Sequence, residues 1–324
     1  MAILVTGGAG YIGSHTVLEL VKEKENVIVL DSLECGHKEA VIGATLVEGS
    51  TNDKALLERL FKKYDIEAVI HFAGYISVEE SMRDPLKYYN NNVSGIINLL
   101  EAMQQNNVFK IIFSSTAAVY GEEKEEPFLE TDKLSPYSVY GKTKLMAENI
   151  LEDSKLAYGI SYIALRYFNA CGADKNGEIG EAHKNETHLI PLVLQTVLGQ
   201  RGSINIYGTD YNTKDGTCIR DYVHVSDLAR AHVLALEKLR RDNQSGVYNL
   251  GNGVGFSVKE VIDKVRFVTG VNIKENILER RKGDVPYLVA SSQKARKELR
   301  FNPEYTKLED IIQTAWQWHK NRRY

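Results

Sequence analysis

Tyr140 and Lys144, in the run Val139-Tyr140-Gly141-Lys142-Thr143-Lys144, are the pair in this chain best suited to moving a proton. Four residues apart on a helix, they lie about 40° apart around its axis, so both side chains can address one reacting atom. A free tyrosine titrates near pH ~10 and is a poor base at neutral pH. An ammonium beside it, with a positively charged cofactor behind, favours the phenolate and brings it toward working range. The same spacing arises by accident on many helix surfaces, so its meaning depends on what surrounds it.

The run Thr6-Gly7-Gly8-Ala9-Gly10-Tyr11-Ile12-Gly13 stands between an apolar strand-like stretch and an amphipathic helix. Glycines at 7, 10 and 13 suit a tight turn, a close backbone approach to a pyrophosphate and close helix–strand packing, with Tyr11 and Ile12 opening the helix. Asp31 follows at the end of the second strand. A carboxylate there hydrogen-bonds a ribose diol and repels a 2′-phosphate, which selects NAD over NADP. Further strand ends carry His71-Phe72-Ala73-Gly74 and Phe113-Ser114-Ser115-Thr116, and a helix carries Asn90-Asn91-Asn92. Each of these alone reads equally well as a turn or a cap.

The elements that must position these groups follow from periodicity. Ile3–Val5, Val27–Leu30, Ala68–His71, Lys110–Phe113 and Ser161–Arg166 read as buried strands. Ile12–Glu23, Lys54–Tyr64, Leu86–Asn106 and Ser138–Tyr158 read as helices. The alternation predicts an α/β fold: a Rossmann-type doubly wound parallel sheet over 1–168, to which the chain returns at about 222–245. After Asn169 a Gly-, Asn- and charge-rich loop from Ala173 to Thr187 leads into a smaller α/β C-terminal lobe, 169–324, for the substrate.

Composition restricts the function classes. Of 324 residues, 43% are hydrophobic and 26% charged, and the net charge of −3 is too balanced for nucleic acid as the main partner. The three cysteines have no CxxC spacing, so neither a disulfide framework nor a metal site is expected, and a reducing cytoplasm fits. The opening apolar run is too short for a signal peptide, and no stretch approaches the ~20 residues of a membrane span.

Taken in order, these motifs resemble the extended short-chain dehydrogenase/reductase family, and within it the epimerases of UDP-sugars. The likeness spans essentially the whole chain. It is carried further by Arg166-Tyr167-Phe168-Asn169, His188-Leu189-Ile190-Pro191, Asp215 to Val225, Tyr248-Asn249-Leu250-Gly251 and Arg280-Arg281-Lys282-Gly283-Asp284. The resemblance implies a catalytic triad of Thr116, Tyr140 and Lys144. It implies NAD held by Gly7, Gly10, Tyr11, Ile12, Gly13, Asp31, Phe72, Ala73, Gly74, Asn92, Ser114 and Tyr167 together with Tyr140 and Lys144. It further implies a UDP-sugar held by Thr116, Asn169, His188, Leu189, Tyr207, Arg220, Arg281, Asp284 and Leu288. Arg220 and Arg281 suit a diphosphate through planar bidentate donors; Arg280 reads as a solvated surface charge.

The implied reaction interconverts UDP-glucose and UDP-galactose: oxidation at C4, rotation of the 4-keto sugar and re-reduction on the opposite face. Two positions depart from the family pattern. Ser50-Thr51 stands where an aspartate often reaches the adenine, and Tyr75-Ile76 leaves unfilled a place where some members put a cofactor-touching lysine. Leu288 stands where a large aromatic would exclude an N-acetyl group, which implies action on UDP-N-acetylhexosamines as well. Relatives dimerise through two helices per subunit, and Leu86–Asn106 and Ser138–Tyr158 are the candidates for a homodimer. Competing readings are an epimerase of another UDP-sugar (a uronic acid or pentose), a nucleotide-sugar 4,6-dehydratase and a non-catalytic NAD sensor. The dehydratase needs an acidic pair after the strand-end threonine, and Ala117-Ala118 cannot transfer protons.

Overall fold

The computed structural model describes residues 1–324 except Glu122, Glu123, Glu125 and Lys282, so Lys282 of the Arg280–Asp284 run lies outside the described residues. In chain order the first half comprises β1 (Ala2–Thr6), α1 (Tyr11–Lys22), β2 (Val27–Asp31), β3 (Thr45–Glu48), α2 (Lys54–Lys63), β4 (Ile66–His71), α3 (Val78–Arg83) and α4 (Pro85–Tyr88). A π-helix over Tyr89–Val93 joins α4 to α5 (Ser94–Gln105), followed by β5 (Lys110–Thr116), α6 (Val139–Tyr158) and β6 (Ser161–Tyr167). Seven strands form one parallel sheet; its edge strand beyond β6 is β10 (Gly246–Leu250), and the order is β10-β6-β5-β4-β1-β2-β3. Both faces are covered, which is why β1 (AILVT) and β2 (VIVLD) are buried at every position rather than at alternate ones.

One face packs against α1 and a later helix, Val225–Asp242, through a core that includes Val17, Leu20, Leu228, Ala231 and Leu239. The other packs against α2, α5 and α6 through Leu57, Leu60, Ile96, Leu99, Ala147 and Leu151. The chain runs outward from β1 through β2 to β3 and returns beside β1 as β4. That reversal opens a crevice past the C-terminal ends of β1 and β4, where a doubly wound sheet binds its ligands.

The second half supplies β7 (Asn169–Cys171), α7 (Leu189–Val197), β8 (Ile204–Tyr207), β9 (Ile219–His224) and α8 (Val225–Asp242) before β10. After it come β11 (Gly255–Ser257), α9 (Val258–Thr269), β12 (Glu275–Leu278), β13 (Tyr287–Leu288), α10 (Gln293–Glu298) and α11 (Leu308–Lys320). Here β9 is flanked by β11 and β13 and also pairs with β7, while β8 pairs with β12. A separate core of Ile190, Leu194, Ile206, Ile262 and Ile311 holds α7, α9 and α11 together.

Three local differences from the sequence reading have physical causes. The helix expected over Leu86–Asn106 is interrupted by the π-turn at 89–93, which rotates the Asn90–Asn92 run so that Asn92 is buried. Strand β3 escaped the pattern because its residues (TLVE) are only half-buried on a sheet edge. Strand β7 is three residues long, too short for any periodicity.

Candidate active site

The start of α6 is set by Ser138, whose hydroxyl accepts the Gly141 amide at 3.0 Å, and its end by Gly159 in the left-handed region. Tyr140 and Lys144 therefore occupy the first two turns, facing the end of β5. Gly141 allows this approach: a Cβ there would lie 2.5 Å from the Ala118 carbonyl oxygen. Thr116, the last residue of β5, stands close enough to the Tyr140 phenol to act on its ionisation, while its hydroxyl accepts the Ala118 amide at 3.1 Å. Burial pushes that phenol above its ordinary pKa, and Thr116 works in the opposite direction by favouring the phenolate.

Lys144 is buried, and its ammonium donates to the Ser114 carbonyl at 2.8 Å. Burial lowers its pKa to about 8, and the Glu148 carboxylate one turn on resists that shift. Glu148 is itself locked. It accepts from Arg166 Nε at 3.0 Å, from Arg166 Nη2 at 2.6 Å and from Ser115 Oγ at 2.5 Å, with both partners of the ion pair almost fully buried. The Arg166-Tyr167 run thus serves as scaffold: Arg166 braces α6 against β5, and the Tyr167 hydroxyl lies 2.6 Å from His232 Nε2. The expectation of a cofactor contact for Tyr167 meets a hydroxyl already occupied within the protein.

The crevice fits a dinucleotide. Gly7 has φ +71°, and any Cβ on it would strike the Ala73 amide nitrogen at 2.5 Å; a Cβ on Gly13 would strike the Gly7 carbonyl oxygen at 2.2 Å. A Cβ on Gly10 would meet one protein atom, at 3.4 Å, so this residue faces the open crevice. It caps α1 with no side-chain bond, which leaves the helix N–H groups free for an anion. The Asp31 carboxylate stands beside this turn, accepting from Ala9 N and Leu33 N, both at 2.9 Å. Asn92 closes the crevice floor: it brackets the Tyr75 backbone through its amide, touches Thr143 Oγ1 at 3.1 Å and lies against Gly74, whose Cα region also faces Lys144. Phe72 and Ala73 pair their amides with the Thr6 carbonyl, continuing the β1–β4 register into the crevice.

On the other wall the sequence-distant arginines converge. Asp284 takes two hydrogen bonds from Arg281, at 3.0 and 3.1 Å, and lies 3.6 Å from Arg220, whose guanidinium also donates to the Ile219 and Val285 carbonyls. Arg281 lies over the Tyr207 ring at 5.5 Å. Arg220 faces Leu288 across the β9–β13 register, and Leu288 packs with Ala117 and Phe168 beside Thr116. This chain of contacts runs from the triad to the arginines. Asn169 is fixed on the Asp221 carbonyl at 3.0 Å, and Leu189 begins α7 with His188 as its cap residue. Arg280 instead pairs with Asp210 on the surface.

The sequence reading missed one group. Glu181, His183, Glu186 and His188 bring four ligand-type atoms within 4.8 Å of one another. His183 Nδ1 lies 3.1 Å from Glu181 and 3.5 Å from Glu186, and His188 Nδ1 also contacts Glu181. Burial works against charge on His183, but the two carboxylates prevail and raise its pKa to about 10. The signal was the alternation of acid and imidazole along Glu181-x-His183-x-x-Glu186-x-His188, hidden inside what reads as an irregular loop.

Comparison with known proteins agrees with this geometry. Residues 3–251 match the NAD dependent epimerase/dehydratase family. The chain is 54% identical over 320 residues to the UDP-glucose 4-epimerase of Halalkalibacterium halodurans, covering 99% of this chain and 96% of that one. A crystal structure of a UDP-glucose 4-epimerase superposes with TM-score 0.97 at 51% identity, covering 99% and 98% of the two chains. The Bifidobacterium longum UDP-glucose 4-epimerase, in complex with NAD+ and UDP, superposes at 0.94 with 38% identity, covering 99% of each chain.

Proposed function

The chain belongs to the NAD dependent epimerase/dehydratase family, and from that premise we propose that it interconverts UDP-glucose and UDP-galactose at C4. The observation that carries this reading is the strand-end Thr116 beside Tyr140, one helical turn from the buried Lys144, over a glycine turn open to a dinucleotide. Bound NAD supplies the acceptance and return of hydride at the sugar carbon. Thr116 orients the 4-oxygen, and Tyr140 takes its proton and later gives it back. Lys144, released from the Ser114 carbonyl toward the nicotinamide ribose, lowers the cost of the phenolate. Gly10, Tyr11, Ile12 and Gly13 present the α1 N-terminus to the cofactor diphosphate. Asp31 takes the adenosine ribose, and Phe72, Ala73, Gly74, Asn92 and Ser114 line the rest.

Arg220 and Arg281 hold the UDP diphosphate while the keto sugar turns about its bond to phosphate, and Asp284 holds both arginines in place. Binding strength at UDP, remote from C4, permits a loose sugar site. Asn169, His188, Leu189 and Tyr207 complete the nucleotide site. Leu288, packed beside Thr116, leaves room at C2, so UDP-N-acetylgalactosamine is a second substrate; no turnover of it would remove that extension. The main test is UDP-galactose with a catalytic amount of NAD. UDP-glucose without net NADH is expected; a 4-keto-6-deoxy sugar, or no product, would overturn the reading.

The same reading extends to a homodimer in the cytoplasm. Met146 and Leu156 are exposed along one stripe of α6, and Leu86 and Ile97 are exposed on α4 and α5 nearby. A monomer mass in solution would contradict the dimer. Cys35, Cys171 and Cys218 are unpaired, as a reducing compartment permits, and among the described residues no helix is long and apolar enough to cross a membrane.

A further inference from the structure

The segment 179–183 lies across the glycine turn and is fastened from several sides. Trp318 Nε1 donates to the Glu181 carbonyl at 2.8 Å, and His37 Nε2 lies 2.7 Å from the Ala182 carbonyl. The Gly180 amide donates to the Tyr324 hydroxyl at 3.3 Å, and just upstream the Tyr11 hydroxyl donates to the Gly172 carbonyl at 2.6 Å. Under the segment is a small cavity bounded by Gly10, Tyr11 and Ser14 on one side and by Gly180 and His183 on the other. The His183 ring meets Tyr11 edge-on, with centroids 6.3 Å apart. The cavity therefore joins the uncapped start of α1 to an imidazole flanked by two carboxylates, which favour its charged form.

Charge balance explains why an imidazole would be placed there. A helix N-terminus offers the equivalent of about half a positive charge, less than a diphosphate dianion calls for. No acidic residue lies in the first turn of α1, yet no lysine or arginine does either. Tyr75 and Ile76 follow the Phe72-Ala73-Gly74 run and bring no cation there, and the nearby Lys87 is engaged by Glu80 at 2.7 Å. A reaction that returns its hydride also requires the cofactor to stay through turnover.

We propose that His183 is a cofactor-binding residue: its imidazolium closes over the diphosphate of bound NAD from the side opposite α1, on a strap that must swing away before the dinucleotide leaves. Glu181 and Glu186 are its positioning residues. Glu181 also holds His188 at the cap of α7, so one buried carboxylate serves a group on each nucleotide site. This inference rests on the NAD-dependent reading above.

The test uses the enzyme as purified and follows release of bound NAD against excess labelled NAD, with thermal melting as the check on folding. Loss of one charge-assisted hydrogen bond in His183→Gln is expected to speed release by roughly ten- to a hundredfold, and His183→Lys is expected to restore most of the retention. Tyr324→Phe, which loosens the strap and leaves its charge in place, is expected to speed release about three- to tenfold. Release from His183→Gln at the wild-type rate would overturn the proposal, as would release from His183→Lys as fast as from His183→Gln. Unchanged release from Tyr324→Phe would remove the strap. A wild-type enzyme that neither carries nor takes up NAD would instead overturn the cofactor reading itself.

Discussion

Gly141→Ala isolates placement from chemistry. The added Cβ would lie 2.5 Å from the Ala118 carbonyl oxygen and 3.0 Å from Pro136 Cβ. The carbonyl belongs to the turn that follows Thr116 and cannot yield without moving the threonine. The start of α6 must retreat by about 0.5 to 0.9 Å, the gap between 2.5 Å and a tolerable contact of 3.0 to 3.4 Å. Tyr140, the adjacent residue, moves with it. Misplacing reacting groups by ~1 Å costs on the order of a hundredfold in rate, so kcat is expected to fall about ten- to a hundredfold. Stability is expected to fall by at most about 2 kcal/mol, because alanine favours the helix by ~1 kcal/mol while the tight contact costs ~1–3 kcal/mol. The assay is product formation from UDP-galactose by chromatography, with bound NAD and the melting temperature measured on the same sample. NAD content is expected to match the wild type, since the glycine turn is untouched. A kcat within twofold of wild type, in a protein that melts normally, would refute the claim that α6 is held at its closest permitted distance.

Two further perturbations probe the scaffold. Glu148→Gln leaves the buried Arg166 guanidinium without its counter-ion, and a loss of about 3–5 kcal/mol is expected from urea unfolding; an unchanged midpoint would contradict this. Acid should also destabilise the fold, because His15, His71, His224 and His232 are held neutral by burial, with pKa values lowered to about 4, 3, 3 and 4. Unfolded histidines take up protons below pH ~6.5 and the folded ones do not, so this stability is complete above that pH and lost as pH falls toward the folded values, by roughly 1.4 kcal/mol per pH unit for each group. A melting temperature that is flat between pH 7 and pH 5 would count against it.

The sheet and its crevice were legible because parallel strands buried on both faces leave unbroken apolar runs, as at Ile3–Val5 and Val27–Leu30. The placement of the glycine turn at the start of α1, and of Tyr140 with Lys144 on one helix, was legible because both depend on local spacing. Contacts that depend on tertiary approach were not. Nothing local marks Arg166 as the brace of α6, or shows that Asp284 gathers Arg220 and Arg281. The Glu181–His188 cluster was hidden because its order comes from α11 and His37, which lie far away in sequence. The π-turn at 89–93 was likewise invisible, since a run of asparagines carries no helical period.

The central claim is that Tyr140 carries the proton at the sugar 4-oxygen, and its most direct test is the epimerisation rate of Tyr140→Phe measured beside its NAD and UDP binding. General acid–base catalysis contributes about a hundred- to ten-thousandfold, so a loss of that size is expected with both nucleotides still bound. Epimerisation within tenfold of the wild-type rate would contradict the account.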